Sequence, residues 1–252
     1  MPIDERPNDE TLRGLIEGAR SEGSETVRVE VTAQTATGWA RAGFSEVGRI
    51  LEAPVEALER RLGGAGGSSF GSVHVQTDDA DAVVRAVRQF VPRLPGSSKG
   101  SLVAPPRNGW TAVYDELCDR DPEMLRRLAR ELSDRMGAVV LLLGVEEEQV
   151  VRFVLFERGR LMDEYLSVPQ YHGELPPGDV ISLAANPTVV ARLTGADPAR
   201  VRSVIRTADR PEDLSPAHEL IGEVAAVLGV EGAGHGYAGA ADEPGSVDLP
   251  RE

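Results

Sequence analysis

The chain is poor in several residue types, and each scarcity limits what the protein can be. Its 252 residues include one cysteine, Cys118, so no disulfide can form within the chain, as is usual in the reducing cytoplasm. No apolar run approaches the roughly 18 residues that a membrane span needs. The first residues have neither the basic nor the apolar segment of a signal peptide. We therefore expect a cytoplasmic protein with no membrane partner.

Positive charge is also scarce. The sequence has 27 lysine and arginine residues against 41 aspartate and glutamate residues, which gives a net charge of −14. A protein that holds nucleic acid through phosphate contacts needs a basic surface. The composition therefore argues against nucleic acid as a partner. Residues 189–205 have the sequence pattern of a helix–turn–helix, which we interpret as ordinary helix packing.

Hydrophobic periodicity predicts an α+β fold in four segments, 1–62, 72–173, 174–230 and 231–252. The glycine-rich stretch 63–67 separates the first two. The second segment has the order strand, helix, strand, helix and then a three-stranded antiparallel meander, with a loop at 92–108. The third is a small helical cap, and the glycine-rich fourth is predicted to be a disordered tail. The predicted strands of the second segment are 72–77, 110–116, 138–145, 149–156 and 160–168.

The first segment alternates helix and strand. A helix with its apolar positions at helical spacing ends at Gly23, and residues 26–31 alternate as a half-buried strand. A short helix over 35–42 and a strand over 45–51 follow. Pro54 is predicted to open a helix that runs to Leu62, because proline is tolerated in the first turn.

Residues 43–48 read Gly-Phe-Ser-Glu-Val-Gly and follow this helix, strand and short helix. The pattern resembles the C-terminal half of the GNAT family of acyl-CoA N-acyltransferases, whose members carry a strand of the type "GF-x-E-x-G". The resemblance covers residues 10–62. It implies a truncated GNAT-like α/β unit packed with the second module, whose strand 72–77 would extend the exposed edge of the truncated sheet.

The GNAT cofactor loop has no counterpart here. In that family the pyrophosphate of acetyl-CoA binds a glycine-containing loop at a helix N-terminus, where backbone amides face the phosphates. In this chain the helix follows Arg6-Pro7-Asn8-Asp9-Glu10, which has no glycine and carries negative charge. Trp39 stands where the family often has a tyrosine that protonates the leaving thiolate, and an indole N–H is no useful general acid. The resemblance therefore implies shared architecture without a working site, and no cofactor is expected.

An altered cofactor site is the alternative. If acetyl-CoA does bind, the resemblance implies that its pantetheine arm lies against strand 26–31. The candidate cofactor contacts are then Val29, Val31, Trp39 and Phe44.

The other candidates for chemistry are two pairs of acidic residues next to tyrosines, Asp115-Glu116 and Asp163-Glu164. Converging carboxylates can bind a metal or act as an acid and a base. Strand alternation, however, sends neighbouring residues to opposite faces, and an exposed strand end explains both pairs equally well. The four histidines lack metal-ligand spacing, so no metal site is predicted from them. The candidate catalytic residues are Asp115, Glu116, Asp163, Glu164 and His172.

The leading hypothesis is a GNAT-like protein that has lost the pyrophosphate loop and acts in binding or protein interaction, through a protein partner or self-association. The first alternative is an acyl-CoA-dependent N-acetyltransferase with a divergent cofactor site. The second is a metal-dependent hydrolase that uses the carboxylate cluster.

Overall fold

A computed structural model describes residues 9–21, 23–24, 26–30, 45–47, 50–54, 69–94, 96, 98–241 and 243–250. The chain divides into two units, Met1–Gly67 and Ser68–Glu252. The division follows the glycine-rich stretch 63–67, where the sequence predicts a boundary. Helices and an antiparallel sheet are both present, so the predicted α+β class is confirmed. Among the described helices, none is long and apolar enough to cross a membrane.

The first unit has one described helix, α1 (Asp9–Ser21), and three strands, β1 (Thr26–Glu30), β2 (Ser45–Val47) and β3 (Ile50–Pro54). The strands form an antiparallel sheet in the order β1-β3-β2. In β1, Val27 and Val29 are buried and Arg28 is exposed, as the alternation predicts.

One prediction for the first unit is wrong. The single strand predicted over 45–51 is a hairpin, in which Val47 pairs with Ile50. Pro54, predicted to open a helix, is the last residue of β3. The rest of the helix predicted to run to Leu62, the short helix predicted over 35–42 and the Gly-Phe pair lie outside the described residues.

The second unit is built on a seven-stranded antiparallel sheet in the order β10-β5-β6-β4-β7-β8-β9. The meander β7-β8-β9 is confirmed, with its strands paired along nearly their full length. The strands are β4 (Phe70–Val75), β5 (Gly100–Val103), β6 (Thr111–Asp115), β7 (Val139–Glu146), β8 (Val150–Glu157), β9 (Arg160–Leu166) and β10 (Val247–Pro250).

Two helices cover one face of this sheet. They are α2 (Ala80–Phe90) and α4 (Pro122–Met136), and the short helix α3 (Glu116–Arg120) precedes α4. Asp79 caps α2 and Asp121 caps α4, each by accepting hydrogen bonds from first-turn amides. Their apolar sides meet inward-facing strand residues such as Val73 and Leu142 in one buried cluster.

The C-terminal helices cover the other face. They are α6 (Pro187–Thr194), α7 (Pro198–Val204) and α8 (Ala217–Leu228), and the short helix α5 (Pro177–Ser182), which buries no residue, precedes them. Residues of α6, α7 and α8 bury Leu141, Phe153 and Tyr165 of the sheet in a second cluster. The predicted helical cap is therefore part of the same folded unit as the sheet.

Three predictions for the second unit are corrected. The loop predicted over 92–108 contains β5. The tail predicted to be disordered contains a short helix, α9 (Tyr237–Ala240), and the edge strand β10, which pairs with β5. Strand β4 cannot extend another sheet, because β6 and β7 occupy both of its edges. These short elements have too few apolar residues for a periodicity to appear in the sequence.

Candidate functional site

Asp115 and Glu116 have structural partners. Asp115 is buried at the end of β6, where its carboxylate accepts hydrogen bonds from the Ser101 hydroxyl at 2.6 Å and from the Leu117 amide at 3.1 Å. It is the N-cap of α3. Glu116 pairs with Arg120, and that hydrogen bond lowers the pKa of Glu116 below its usual value.

The second acidic pair lies on β9 with its two side chains on opposite faces. Asp163 accepts a hydrogen bond from the Asn186 amide at 2.9 Å, and burial raises its pKa to about 6. Glu164 accepts a hydrogen bond from Arg126 of α4 at 2.5 Å.

The structure does not bring the two acidic pairs together. Strands β4, β7 and β8 separate β6 from β9, and four strand spacings amount to roughly 19 Å. Within the described residues, no three histidine, cysteine or acidic side chains are grouped to hold a metal ion. The geometry therefore gives no support to a hydrolase built on Asp115, Glu116, Asp163 and Glu164.

His172 has a specific partner. Its Nε2 lies 2.6 Å from Oε2 of Glu146, the last residue of β7, and Nη1 of Arg152 on β8 lies 3.1 Å from the other oxygen. Burial alone would raise the pKa of Glu146, but the His172 hydrogen bond and the positive charges beside it lower it below its usual value. Tyr171 stands edge-on to the His172 ring and donates a hydrogen bond to Glu147 at 2.9 Å.

Glu146 and Arg152 lie beside a small cleft that is partly open to solvent. Most of the lining is apolar and comes from strand ends and from the start of α4. We call this the Arg152 cleft. Its lining residues are Ser69, Phe70, Cys118, Asp119, Pro122, Leu125, Leu142, Gly144, Val145, Glu146 and Arg152.

Two glycines let α4 approach the floor of the Arg152 cleft. A Cβ atom on Gly71 would lie 2.2 Å from Leu125 Cδ2, and one on Gly144 would lie 3.2 Å from the Phe70 carbonyl oxygen. Side chains at these positions would collide with the helix or the neighbouring strand.

Arg152, one of the residues that line the cleft, has a buried donor without a partner among the described residues. Nε of Arg152 is buried and has no hydrogen-bond acceptor among the described residues, although its Nη1 meets Glu146. An unpaired buried N–H is costly, so it is a natural point for a ligand acceptor to bind.

The thiol of the Arg152 cleft is in the wrong state for nucleophilic chemistry. Burial and three nearby aspartates raise the pKa of the Cys118 thiol well above its usual value, so it is not a thiolate. Burial also raises the pKa of Asp119, whose oxygens accept hydrogen bonds from the amides of Gly71 and Tyr237.

A serine–histidine pair lies elsewhere on the sheet, on β4. Ser72 Oγ is 2.9 Å from His74 Nε2, and both side chains are fully buried. Burial lowers the pKa of His74 to about 3, so the imidazole is too weak a base to activate the serine.

Sequence reasoning found His172 but missed Glu146 and Arg152. The available signal was the few charged residues in two largely apolar strands, VVLLLGVE and VVRFVLFE. Of the candidate cofactor contacts, Val29 is buried in β1, whereas Val31, Trp39 and Phe44 lie outside the described residues.

Comparison with protein-family models, with curated proteins and with solved structures finds no match to this chain.

Proposed function

We propose that the chain is a non-catalytic binding protein, GNAT-like in its first unit, that takes a segment of a protein partner into the Arg152 cleft. The observation that carries this proposal is the buried Nε of Arg152, which has no acceptor among the described residues. A backbone carbonyl of a bound peptide is an acceptor of the right kind, and the apolar lining suits a short aliphatic side chain beside it.

The groups around the cleft favour binding over chemistry. Covalent catalysis needs an activated nucleophile, and the raised pKa of Cys118 keeps the thiol protonated. Glu146 is held between His172 and Arg152, with a lowered pKa that makes it a poor proton acceptor. These two basic groups offset the charge of Glu146, so the cleft suits a neutral carbonyl group better than a free anion.

The probe for this proposal is N-acetyl-leucine methylamide, which combines carbonyl acceptors with one aliphatic side chain. At about 0.3 kcal/mol for each of its roughly 13 heavy atoms, its dissociation constant should be on the order of 1 mM. We expect the Nε–H signal of Arg152 in a nitrogen–proton NMR spectrum to shift during the titration.

Arg152→Lys removes the Nε donor but keeps the positive charge beside Glu146, so the variant should lose binding. Arg126→Lys is the matched control, because Arg126 bonds Glu164 and does not line the cleft. Because Arg152→Lys has no Nε–H signal, binding to the two variants is followed by the backbone amide signals of the residues that line the cleft. If the wild type shows no Nε–H shift at ten times the expected dissociation constant, or if the amide signals show equal binding to both variants, the proposal fails.

Calorimetric titration with acetyl-CoA tests the GNAT part separately. The loss of the pyrophosphate loop predicts no binding at millimolar concentration, with free CoA as the comparison. Tight 1:1 binding of acetyl-CoA would favour the N-acetyltransferase alternative instead.

A further inference from the structure

The C-terminal segment covers part of the sheet in the manner of a bound peptide. Residues 231–250, which we call the C-terminal strap, follow α8, cross the face of the sheet at β6 and end as β10 on the edge of β5. Few apolar side chains of the strap are buried, and they are Ala233, Ala240 and Leu249.

The main chain of the strap makes its principal polar contacts. The Tyr114 hydroxyl donates to the Gly232 carbonyl at 2.9 Å, and the Tyr237 amide donates to Asp119 at 2.8 Å. Strand β10 adds a ladder to β5. Backbone hydrogen bonds to a sheet edge, together with small side chains, are how sheet edges recognise extended peptides.

Glycine is required where the strap lies closest to the sheet. A Cβ atom on Gly232, whose φ is +79°, would lie 2.3 Å from the Tyr114 hydroxyl oxygen, and one on Gly236 would lie 2.2 Å from Asp119 Oδ1. On the sheet side, a Cβ atom on Gly100 would lie 2.9 Å from the Tyr237 hydroxyl oxygen. The surface is therefore shaped for a segment with glycine at fixed positions.

The strap leaves polar atoms unpaired. In the described part of the chain, four buried side-chain atoms lack a partner. His74 Nδ1 lies beneath the strap, where the charge of His235 reaches it, and Glu243 Oε2 and Ser246 Oγ belong to the strap itself. The other oxygen of Glu243 is 3.5 Å from His235 and 3.9 Å from Arg107, too far for strong hydrogen bonds. Because unpaired buried groups cost free energy, they weaken the packing of the strap against the sheet.

We propose that the β5 edge and the adjoining surface of β6 form a docking site for an extended, glycine-containing segment of another protein, and that the strap is its intramolecular occupant. A partner segment takes the place of the strap by pairing with β5 and placing a carbonyl on the Tyr114 hydroxyl. This site shares Asp119 with the Arg152 cleft but is otherwise separate from it.

The test uses the full chain and a fluorescent peptide with the sequence of residues 231–250, followed by anisotropy. The strap competes with the peptide in the wild-type chain, which weakens apparent binding. Gly236→Ala displaces Asp119 and should release the strap, so that the peptide binds at least about tenfold more tightly than to the wild type. Gly234→Ala is the matched control, because nothing lies within 4 Å of a Cβ atom there. Equal binding to the wild type and both variants, or none to any of them, would overturn the proposal.

Two further measurements exclude other causes. Gly100→Ala blocks the close approach of any occupant, so it should not gain peptide binding, and binding as tight as that of Gly236→Ala would place the peptide elsewhere and overturn the proposal. Hydrogen exchange of Gly236→Ala should show faster exchange in the strap and β5 while β7 and β8 stay protected. Loss of protection throughout the sheet would show that the strap is an integral part of the fold, and this result would also overturn the proposal. Dimerisation of Gly236→Ala without peptide would identify the occupant as a second copy, contrary to the proposal.

Discussion

Glu146 Oε2 lies 2.6 Å from His172 Nε2, across 26 positions of sequence, and ties the loop after β9 to the end of β7. The same carboxylate meets Arg152, so an acidic group that is 8% exposed is held between two basic side chains. This arrangement keeps the carboxylate charged despite its burial, and it fixes one wall of the Arg152 cleft.

We expect Glu146→Gln to lower the free energy of unfolding at pH 7 by about 1–2 kcal/mol, because it removes two charge-assisted contacts. The pKa of Glu146 is lower in the folded protein than its usual value of 4.5. Its stabilisation is therefore complete well above pH 4.5 and is lost as the pH falls through the folded-state pKa. Urea unfolding of wild type and variant between pH 7 and pH 3.5 should show the difference shrinking with acidification.

Glu131→Gln is the control for this series. Glu131 makes an exposed i,i+4 pair with Arg135 on α4, so its loss should change the unfolding free energy by less than about 0.5 kcal/mol. A difference for Glu146→Gln that stays constant with pH would contradict the charged-pair explanation.

Gly71 of β4, which lies against Leu125 of α4, should not accept a side chain. Gly71→Ala places a methyl group 2.2 Å from Leu125 Cδ2, and such overpacking should lower the unfolding free energy by about 1–3 kcal/mol. Gly222→Ala, in α8 with nothing within 4 Å of the new Cβ atom, should instead stabilise by up to about 1 kcal/mol, as expected for a helix interior. Denaturant unfolding of the two variants checks the opposite signs, and equal effects would contradict the assigned contact.

Asp163 should show the reverse pH dependence to Glu146. Burial raises its pKa to about 6, so the folded state takes up a proton before the unfolded state does. The charged form therefore opposes folding at pH 7, and this penalty disappears as the pH falls from about 6 towards 3.8. Asp163→Asn should stabilise by about 1 kcal/mol at pH 7, a figure reduced for solvent screening, and by less at pH 5. A stabilisation that grows on acidification would contradict the assignment.

The elements that could be predicted from sequence are those with a strong local signal. Helix α4 follows Asp121-Pro122, a capping residue and a first-turn proline, and its apolar face repeats at helical spacing. The meander could be predicted because its three strands are apolar or alternating. Its turn at Glu157–Arg160 also matches a two-residue hairpin, with Arg158 and Gly159 at positive φ.

The elements that could not be predicted depend on distant partners. Strand β10 has one buried residue, Leu249, and becomes a strand because β5 offers it an edge. The candidate site could not be predicted for the same reason. Glu146 and Arg152 meet across a hairpin, and His172 joins them from a separate loop. Asp115 and Glu164 have similar sequence contexts but lie on strands four places apart in the sheet.

The C-terminal strap should depend on single hydrogen bonds, and Tyr114→Phe tests one of them. The variant removes the hydroxyl that donates to the Gly232 carbonyl and keeps the ring that stacks on His235, so about 1 kcal/mol of local stability should be lost. Amide exchange in residues 231–250 should quicken about fivefold, while exchange in β7 and β8 changes less. Tyr165→Phe is the matched control, because its hydroxyl donates to the carbonyl of Arg206, outside the strap, at 2.8 Å. If amide exchange in residues 231–250 became faster by the same factor in both variants, Tyr114 would stabilise the whole sheet rather than the strap.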